Sequence, residues 1–355
     1  MSRFDWQPTT RIVCEIGGLA RLGELAHPYG TKALVVSDPG VVAAGHAARA
    51  QTILTEAGIE STLFYDTHEN PTDEDVARCG TALQTCTPDL LIAIGGGSAI
   101  DTVKAANLVR GEPFLPLIAV PTTAGTGSEV QRHALLSDPK THVKKAIGAV
   151  GLEPKIALLD AELTLTCPPR VTALAGMDAL THAIESQVSR TANSLSRIFS
   201  VEAFRLLNPA LERVFTNPTD LEARADVLLG ACWAGLAIEN SMLGAAHASA
   251  NPLTAQLGIV HGQAVSLMLP HVIRFNAAHA DYASFGGAET LTARFIELLG
   301  LAGMATTLAE WPVNDAIITA LAEDAAKQRT GLFNPRPLTE ADFAALYQAA
   351  TEPQT

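Results

Sequence analysis

One aspartate and three histidines of this chain have the residue types and the surroundings of a metal site. Asp178 and His182 stand four residues apart in GMDALTHAIE, so both side chains share one face if this segment is helical. His247 and His261 stand in the small, apolar stretches LGAAHASA and GIVHGQAV, where an unpaired imidazole is costly to bury. If the four converge, they predict a site for Fe²⁺ or Zn²⁺ that polarises a carbonyl or alcohol oxygen. Chance pairing is the alternative, because the chain has ten histidines.

A glycine-rich turn follows the apolar stretch LLIAI and is suited to bind a phosphate group. In GGGSAID, three glycines let the backbone come close to a bulky anion. Ser98 is the expected N-cap of the next helix, with Asp101 three residues later as in a capping box. The amides of the first helical turn would then bind a pyrophosphate. A plain tight turn is the alternative, since the GxGxxG motif is absent.

Two further polar features follow predicted strands. The run PTTAGTGSE, residues 121–129, comes directly after PLIAV, and open parallel sheets bind ligands at such strand ends. Asp38 ends the stretch KALVVSD, where a carboxylate accepts hydrogen bonds from an adenosine ribose and repels a 2′-phosphate. The alternatives are an ordinary polar loop for the first feature and a turn or N-cap role for Asp38.

The elements that must position these residues change in kind near residue 165. Before it, short apolar strands alternate with helical patterns, which predicts a mostly parallel sheet covered by helices. The predicted strands are Lys32–Asp38, Ser61–Asp66, Leu90–Ile94, Pro116–Val120 and Ile156–Asp160, and the predicted helices between them are His46–Ala57, Asp73–Cys86 and Ala99–Val109. After it, the predicted helices are Val171–Arg190, Asn193–Phe215 and Leu221–Leu236. The predicted fold is α/β plus all-α, with one domain over residues 1–165 and an all-helical domain over residues 166–355.

Composition argues against several classes of protein. With 48% hydrophobic and 17% charged residues, the 355-residue chain is suited to build large cores. Its net charge of −13 and the lack of a basic run argue against a nucleic-acid partner. The sequence shows no membrane span, no secretory signal and no CxxC among five scattered cysteines, which predicts a cytoplasmic protein. The expected partners are a small molecule and a second copy of the chain, in a homodimer.

Taken together, the motifs resemble those of the iron-containing (group III) alcohol dehydrogenases. GGGSAID, PTTAGTGSEV, GMDALTHAIES and the His247/His261 pair carry the resemblance, which runs over nearly the whole chain. It implies an N-terminal Rossmann-like domain followed by a C-terminal all-helical domain. It also implies a nicotinamide cofactor in the cleft between them and a divalent metal on the helical side.

Carried over residue by residue, the resemblance implies a set of site residues. The implied metal ligands are Asp178, His182, His247 and His261. The implied cofactor-binding residues are Asp38, Asn70, Gly96, Gly97, Ser98, Asp101, Thr122, Thr123, Thr126 and Lys144. Among them, Asp38 matches the position that favours NAD(H) over NADP(H).

The chain departs from the family pattern at two places. Many members carry another histidine four residues after the first ligand of the distal pair, whereas this chain has Asn251, which puts a histidine proton relay there in doubt. After SEV, Arg132 and His133 stand where many members have smaller or less basic residues. We expect Arg132, His133 and Asn251 on the substrate side. His133 and His271 are the candidate catalytic groups for proton delivery, with water or ribose hydroxyls as alternatives.

These features predict a metal-dependent, NAD(P)-linked alcohol dehydrogenase or aldehyde reductase, with Fe²⁺ as the metal and Zn²⁺ as the alternative. Arg132 favours a short polar or anionic aldehyde, because a guanidinium pairs with carboxylate, phosphate or sulfonate. An outward, solvated Arg132 is the alternative.

Three other functions stay open. The chain is close in size to the maleylacetate reductases and resembles that branch too, although those enzymes commonly lack the aspartate matched by Asp178. A carbon–oxygen lyase on the scaffold of the dehydroquinate synthases is a second alternative, but their basic phosphate-binding set is not seen. A nucleotide-binding protein without catalysis is the third.

Overall fold

The computed structural model describes residues 4–141 and 143–352, which divide into two compact units. One consists of residues 5–168 with residues 224–232, and we call it the sheet unit. The other consists of residues 169–223 and 233–352 with Phe4, and we call it the helical unit.

Six of the described strands form the sheet that gives the first unit its name. They are β1 (Arg11–Cys14), β2 (Lys32–Val36), β3 (Glu60–Phe64), β4 (Leu90–Gly95), β5 (Leu117–Pro121) and β8 (Ile156–Leu159). The order across the sheet is β1-β8-β5-β4-β2-β3, and every neighbouring pair is parallel. The predicted parallel sheet and its five predicted strands are confirmed.

Sequence reasoning missed three of the described strands. β1 has only four residues, lies at an edge of the sheet and buries Val13 alone, so its apolar signal is short. β6 (His133–Ser137) and β7 (Lys144–Gly148) form a separate antiparallel pair. β7 begins with two lysines and buries none of its residues, so it shows neither an apolar run nor a clean alternation.

Helices cover both faces of the parallel sheet. They are α1 (Leu22–Ala26), α2 (Pro39–Ala43), α3 (His46–Glu56), α4 (Asp73–Cys86) and α5 (Gly97–Arg110). Val35 belongs to the core cluster that includes Leu54 of α3, whereas its neighbour Leu34 belongs to the cluster that includes Leu83 of α4. Burial on both faces explains why the central strands are continuously apolar.

The strand order creates a place where a ligand is expected to bind. The chain leaves β2 for β3 on one side, and it leaves β4 for β5 on the other. Doubly wound sheets bind ligands at such a switch point, outside the carboxyl ends of the two strands. Asp38 follows β2, and the GGGSAID turn follows β4, so both lie at this point.

The helical unit contains no strand among its described residues. Its helices are α6 (Pro169–Val188), α7 (Ser194–Thr216), α8 (Leu221–Glu239, of which residues 224–232 belong to the sheet unit), α9 (Ala245–Leu257), α10 (His261–Asn276), α11 (Ala288–Leu301), α12 (Asp315–Ala326) and α13 (Glu340–Ala350). The first three match the predicted helices to within a few residues. α6 packs against α7 and α10, and α9 packs against α10 and α12. Across the described residues, none of the helices combines the length and the apolar character needed to span a membrane.

Candidate metal and nucleotide sites

The glycine-rich turn between β4 and α5 packs against the threonine-rich loop that follows β5. The Thr122 N–H donates to the Gly95 carbonyl at 3.0 Å and joins the two loops at their base. A Cβ added at Gly97 would lie 2.7 Å from Oγ1 of Thr126, so the loops approach this closely only because residue 97 is glycine. Thr123 lies beside the same turn. The residues that the structure brings together here are Gly96, Gly97, Ser98, Thr122, Thr123 and Thr126.

The predicted capping role of Ser98 and Asp101 is wrong. α5 begins at Gly97 with Gly96 as its N-cap, so Ser98 already lies inside the first turn. Asp101 is buried and accepts hydrogen bonds from the Ser128 hydroxyl at 2.5 Å and from the Leu135 N–H at 3.1 Å. A buried carboxylate is stable only with such donors. Asp101 therefore joins α5 to the loop after β5 and to β6.

Asp38 caps a helix and also lies at the switch point of the sheet, two features that the sequence analysis gave as alternatives. Its Oδ1 accepts the Val41 N–H at 3.0 Å and caps α2, as the N-cap interpretation predicted. Its Oδ2 lies beside Gly95 at the end of β4, at the switch point of the sheet. One carboxylate oxygen thus caps α2, while the other lies beside the end of β4.

Asn70 lies in the segment between β3 and α4. It is exposed and has a φ of 54°, in the left-handed region that asparagine tolerates better than most residues. The carbonyl of Pro71 accepts the Ser137 N–H at 2.8 Å. The Asn70 segment is thereby attached to β6.

A buried lysine, Lys104 on α5, holds the segment of residues 128–133. Its Nζ donates to the carbonyls of Ser128 at 3.0 Å, Gln131 at 3.2 Å and His133. The same Nζ lies 3.4 Å from Oδ1 of Asp101. One cation therefore fixes three peptide groups of a loop, and Asp101 balances its charge.

The remaining predicted residues of the sheet unit lie on or next to the β6–β7 hairpin. Arg132 directly precedes β6 and is half-buried, whereas His133 is the first residue of β6 and is exposed. Lys144 begins β7 opposite Ser137 and is half-buried.

The four predicted metal ligands come from three helices of the helical unit. α6 carries Asp178 and His182 on one face, α9 carries His247 in its first turn, and α10 begins at His261. One ligand atom each from Asp178, His247 and His261 lies within 4.8 Å of the others. His182 lies next to these three residues: its Nε2 lies 3.4 Å from Asp178 Oδ1, and its ring stacks on that of His247 at 4.9 Å.

The charges of this cluster fit a bound cation. Burial opposes ionisation of Asp178, yet the surrounding imidazoles of His182, His247 and His261 hold its pKa far below the ordinary value. Burial also opposes the charged form of His247, but the carboxylates of Asp178 and Glu185 raise its pKa to about 9. The carboxylates of Asp178 and Glu185 therefore favour positive charge at this cluster.

Two buried atoms in the cluster also fit a bound cation. Asp178 Oδ1 and His247 Nε2 face each other at 3.4 Å, and neither makes a hydrogen bond of normal geometry to a described residue. Buried polar atoms are normally bonded. A carboxylate and imidazoles with such atoms turned inward are the donor set that Fe²⁺ or Zn²⁺ takes in proteins. The residues present fit the predicted metal.

Asn251 and His271, the other predicted residues of the helical unit, lie on α9 and α10. Asn251 lies one turn after His247 on α9, and its Nδ2 donates to Gln328 Oε1 at 2.9 Å. His271 lies within α10, where burial and then the nearby Arg274 lower its pKa to about 4. At neutral pH its imidazole is therefore uncharged.

Sequence reasoning assigned no role to two buried residues that support these sites, Glu185 and Lys104. Both had a visible signal, because Glu185 follows His182 by three residues on α6 and Lys104 follows Asp101 by three residues on α5. Their partners lie on other elements, which explains why the spacing alone did not reveal their roles.

Comparison with known proteins gives a consistent result over both units. The family model for iron-containing alcohol dehydrogenase matches residues 8–161, and the model for the C-terminal part of the Fe-containing alcohol dehydrogenase family matches residues 172–351. A probable alcohol dehydrogenase EutG of Salmonella typhimurium is 33% identical over 98% of this chain and 94% of its own length. A 1,3-propanediol dehydrogenase of Klebsiella pneumoniae is 33% identical over 90% of this chain and 92% of its own.

A solved structure shows the same likeness in three dimensions. It is the sulfoacetaldehyde reductase of Bifidobacterium kashiwanohense in complex with NAD⁺, which superposes with a TM-score of 0.92 at 28% identity. The match covers 100% of this chain and 100% of that one.

Proposed function

The chain belongs to the iron-containing alcohol dehydrogenase family, and from that premise we propose that it reduces a short anionic aldehyde with NADH at an iron site. The observation that carries the proposal is the convergence of Asp178, His182, His247 and His261 from three helices. The family matches make the chain an oxidoreductase that acts on alcohols or aldehydes.

The proposed metal ligands are Asp178, His182, His247 and His261. When bound, Fe²⁺ would supply a Lewis acid for the substrate oxygen, and the nicotinamide would exchange a hydride with the substrate carbon. The protein contributes a buried carboxylate whose charge balances the cation, and imidazoles whose orientation is set by the packing of α6, α9 and α10. Zn²⁺ suits the same donor set, so the identity of the metal is part of the test.

The proposed cofactor site is the switch point of the sheet. The turn of Gly96, Gly97 and Ser98 opens α5, where backbone amides of a first helical turn suit a pyrophosphate. The threonines at 122, 123 and 126, with Asn70, Asp101 and Lys144, belong to the same proposal as contacting or supporting residues. The relative solved with NAD⁺ supports a nicotinamide dinucleotide as the cofactor.

Asp38 is expected to favour NADH over NADPH. Its Oδ2 lies at the switch point, where it would bond a ribose hydroxyl and repel a 2′-phosphate. Asp38→Gly should raise kcat/KM for NADPH relative to NADH about tenfold, equivalent to about 1.4 kcal/mol, because the bond to the ribose and the repulsion of the 2′-phosphate are both lost. Asp38→Asn is the matched variant, because asparagine keeps the cap of α2 and removes only the charge. Higher kcat/KM with NADPH than with NADH in the unmodified protein would contradict the assignment.

Arg132 is expected to recognise the charge of the substrate. A guanidinium bonds a carboxylate or sulfonate in a planar, bidentate fashion. The likeness to a sulfoacetaldehyde reductase supports an anionic substrate. Arg132→Ala should lower the ratio of kcat/KM for an anionic aldehyde to that for a neutral aldehyde of equal length by about 10–100-fold, because the charge-assisted contact to the anion is lost. Lys145→Ala, an exposed cation on the same hairpin, is the control, and an unchanged ratio in Arg132→Ala would exclude the role.

The proposed function as a whole is tested with a panel of aldehydes. The purified chain is assayed with NADH and NADPH after loading with Fe²⁺ or Zn²⁺, and oxidation of the cofactor is followed by absorbance. Metal-dependent oxidation of NADH by an aldehyde is the expected result. Conversion of a hydroxylated substrate without any change in the cofactor would instead indicate a lyase.

Proton delivery, location and assembly complete the proposal. His133 and His271 remain the proposed proton-delivery groups. His133 is exposed, and His271 is uncharged at neutral pH.

The described cysteines are all free thiols, which supports a reducing compartment such as the cytoplasm. A homodimer remains a prediction, and sedimentation of the metal-loaded protein is the measurement that tests it.

A further inference from the structure

Glu185 is a buried carboxylate that lies directly behind the metal cluster. It is on α6, seven residues after Asp178 and three after His182, so it shares their helix face. Only 3% of its surface is exposed. A charge so deeply buried is costly unless donors surround it.

Among the described residues, the donors to Glu185 all come from the start of α9. The Gly244 N–H donates to Oε2 at 3.1 Å, and the Ala246 N–H donates to Oε1 at 2.7 Å. The Nδ1–H of His247 donates to Oε2 at 2.6 Å. A Cβ added at Gly244 would lie 2.9 Å from Oε1, so this approach also requires glycine at position 244. Glu185 thus holds both the backbone and the first side chain of α9 that faces the cluster.

This contact determines which nitrogen of His247 faces the metal position. A carboxylate accepts hydrogen bonds and has none to donate, so Nδ1 must carry a proton. The lone pair that binds a cation is then on Nε2, the atom that faces Asp178 Oδ1 at 3.4 Å. A hydrogen bond from the second ring nitrogen also fixes the orientation of the imidazole.

We propose that Glu185 is a positioning residue that presents Nε2 of His247 to the metal and joins the start of α9 to the site. The inference rests on the proposed metal site and adds a residue to it that touches neither metal nor substrate. The proposed role of Glu185 requires a carboxylate, and another polar side chain would not replace it. In Glu185→Gln, the side-chain amide can lie in either of two orientations. If its nitrogen faces His247 Nδ1, it donates to that atom and favours the opposite tautomer. If its nitrogen faces the Ala246 N–H, two donors oppose each other.

The test measures the affinity for Zn²⁺ and is independent of turnover. Competition with a chromophoric chelator gives the dissociation constant of Zn²⁺ for the full-length chain, and Co²⁺ substitution gives a visible spectrum that reports the ligand geometry. Glu185→Gln is expected to weaken Zn²⁺ binding about 10–100-fold, the usual cost of losing a partner behind a metal ligand. Glu185→Asp keeps the carboxylate but withdraws it by one methylene, so it should bind Zn²⁺ with intermediate affinity.

Asn334→Ala provides the matched control for damage to α9. Asn334 Oδ1 accepts the Ala245 N–H at 3.3 Å and the Asn276 Nδ2–H at 2.9 Å, so this variant loosens the same helix start and its link to the end of α10 without touching His247. It is expected to lower thermal stability and leave the Zn²⁺ affinity and the Co²⁺ spectrum unchanged. NADH binding, followed by fluorescence, verifies in every variant that the sheet unit is folded.

Each result decides the inference. Zn²⁺ binding by Glu185→Gln as tight as in the unmodified chain would overturn it, and so would an equal loss in Asn334→Ala. If Glu185→Gln does not fold, the decision rests on Glu185→Asp, where weaker binding supports the inference and unchanged binding overturns it. Failure of the proposed function looks different, because the unmodified chain would then bind no metal or would transfer no hydride.

Discussion

Replacing His247 by alanine is expected to remove the metal and the turnover together while the chain stays folded. His247 Nε2 is a buried atom that faces Asp178 Oδ1, so its loss opens the centre of the proposed ligand set. We expect metal occupancy and kcat/KM each to fall by at least about 10–100-fold. Metal analysis after gel filtration and the rate of NADH oxidation are the two measurements.

The His247→Ala variant should also be less stable, for a reason unrelated to catalysis. Glu185 loses one of its three described donors and keeps the N–H groups of Gly244 and Ala246. An incompletely bonded buried carboxylate costs about 1–3 kcal/mol. Circular dichroism should therefore show a native helical spectrum with an earlier thermal transition.

His46→Ala is the matched control for removing a buried imidazole. His46 lies in the sheet unit, where its Nε2 and the Thr166 hydroxyl are 2.7 Å apart. This variant should also lose some stability but keep its metal and its dependence on metal. Full metal content and full activity in His247→Ala would show that the proposed ligand set is wrong.

Much of the metal cluster was predictable because helix geometry is local. The spacing of Asp178 and His182 puts both on one face of α6, whatever surrounds that helix. His247 and His261 lie on two other helices, and their approach to α6 depends on tertiary packing. The resemblance to a family supplied that information, whereas the spacing could not.

The sheet was predictable for a similar reason, and its exceptions have physical causes. Strands buried on both faces are continuously apolar, so β2, β4, β5 and β8 were found from the sequence. β1 and β7 are short or exposed and lack that signal. The role of Asp101 was missed because its donors, Ser128 and Leu135, come close only through the folding of the loop after β5.

Replacing Lys104 by methionine is expected to destabilise the sheet unit strongly. Lys104 is fully buried, lies 3.4 Å from Asp101 Oδ1 and donates to three carbonyls of residues 128–133. Methionine is an unbranched, apolar side chain one atom shorter than lysine, so it fills most of the same space without a charge. Removing one member of a buried ion pair leaves the other uncompensated and typically costs about 3–5 kcal/mol.

Nearby acidic groups increase the effect of losing Lys104. Burial already raises the pKa of Glu129 to about 7, and the positive charge of Lys104 acts against that rise. Without the lysine, Glu129 should be protonated up to a higher pH, and Asp101 should lose the cation that balances its charge. The carbonyls of Ser128, Gln131 and His133 also lose their shared donor.

Urea denaturation and hydrogen exchange measure the two consequences of Lys104→Met separately. The urea midpoint should fall by an amount equivalent to about 3–5 kcal/mol, and amides of residues 128–135 should exchange faster than in the unmodified chain, while those of β4 keep their rates. Lys145→Met is the control, because Lys145 is exposed on β7 and its weak pairing with Asp138 predicts a change within about 0.5 kcal/mol. A loss below about 1 kcal/mol in Lys104→Met, with unchanged exchange in residues 128–135, would mean that the loop keeps its place without the buried cation.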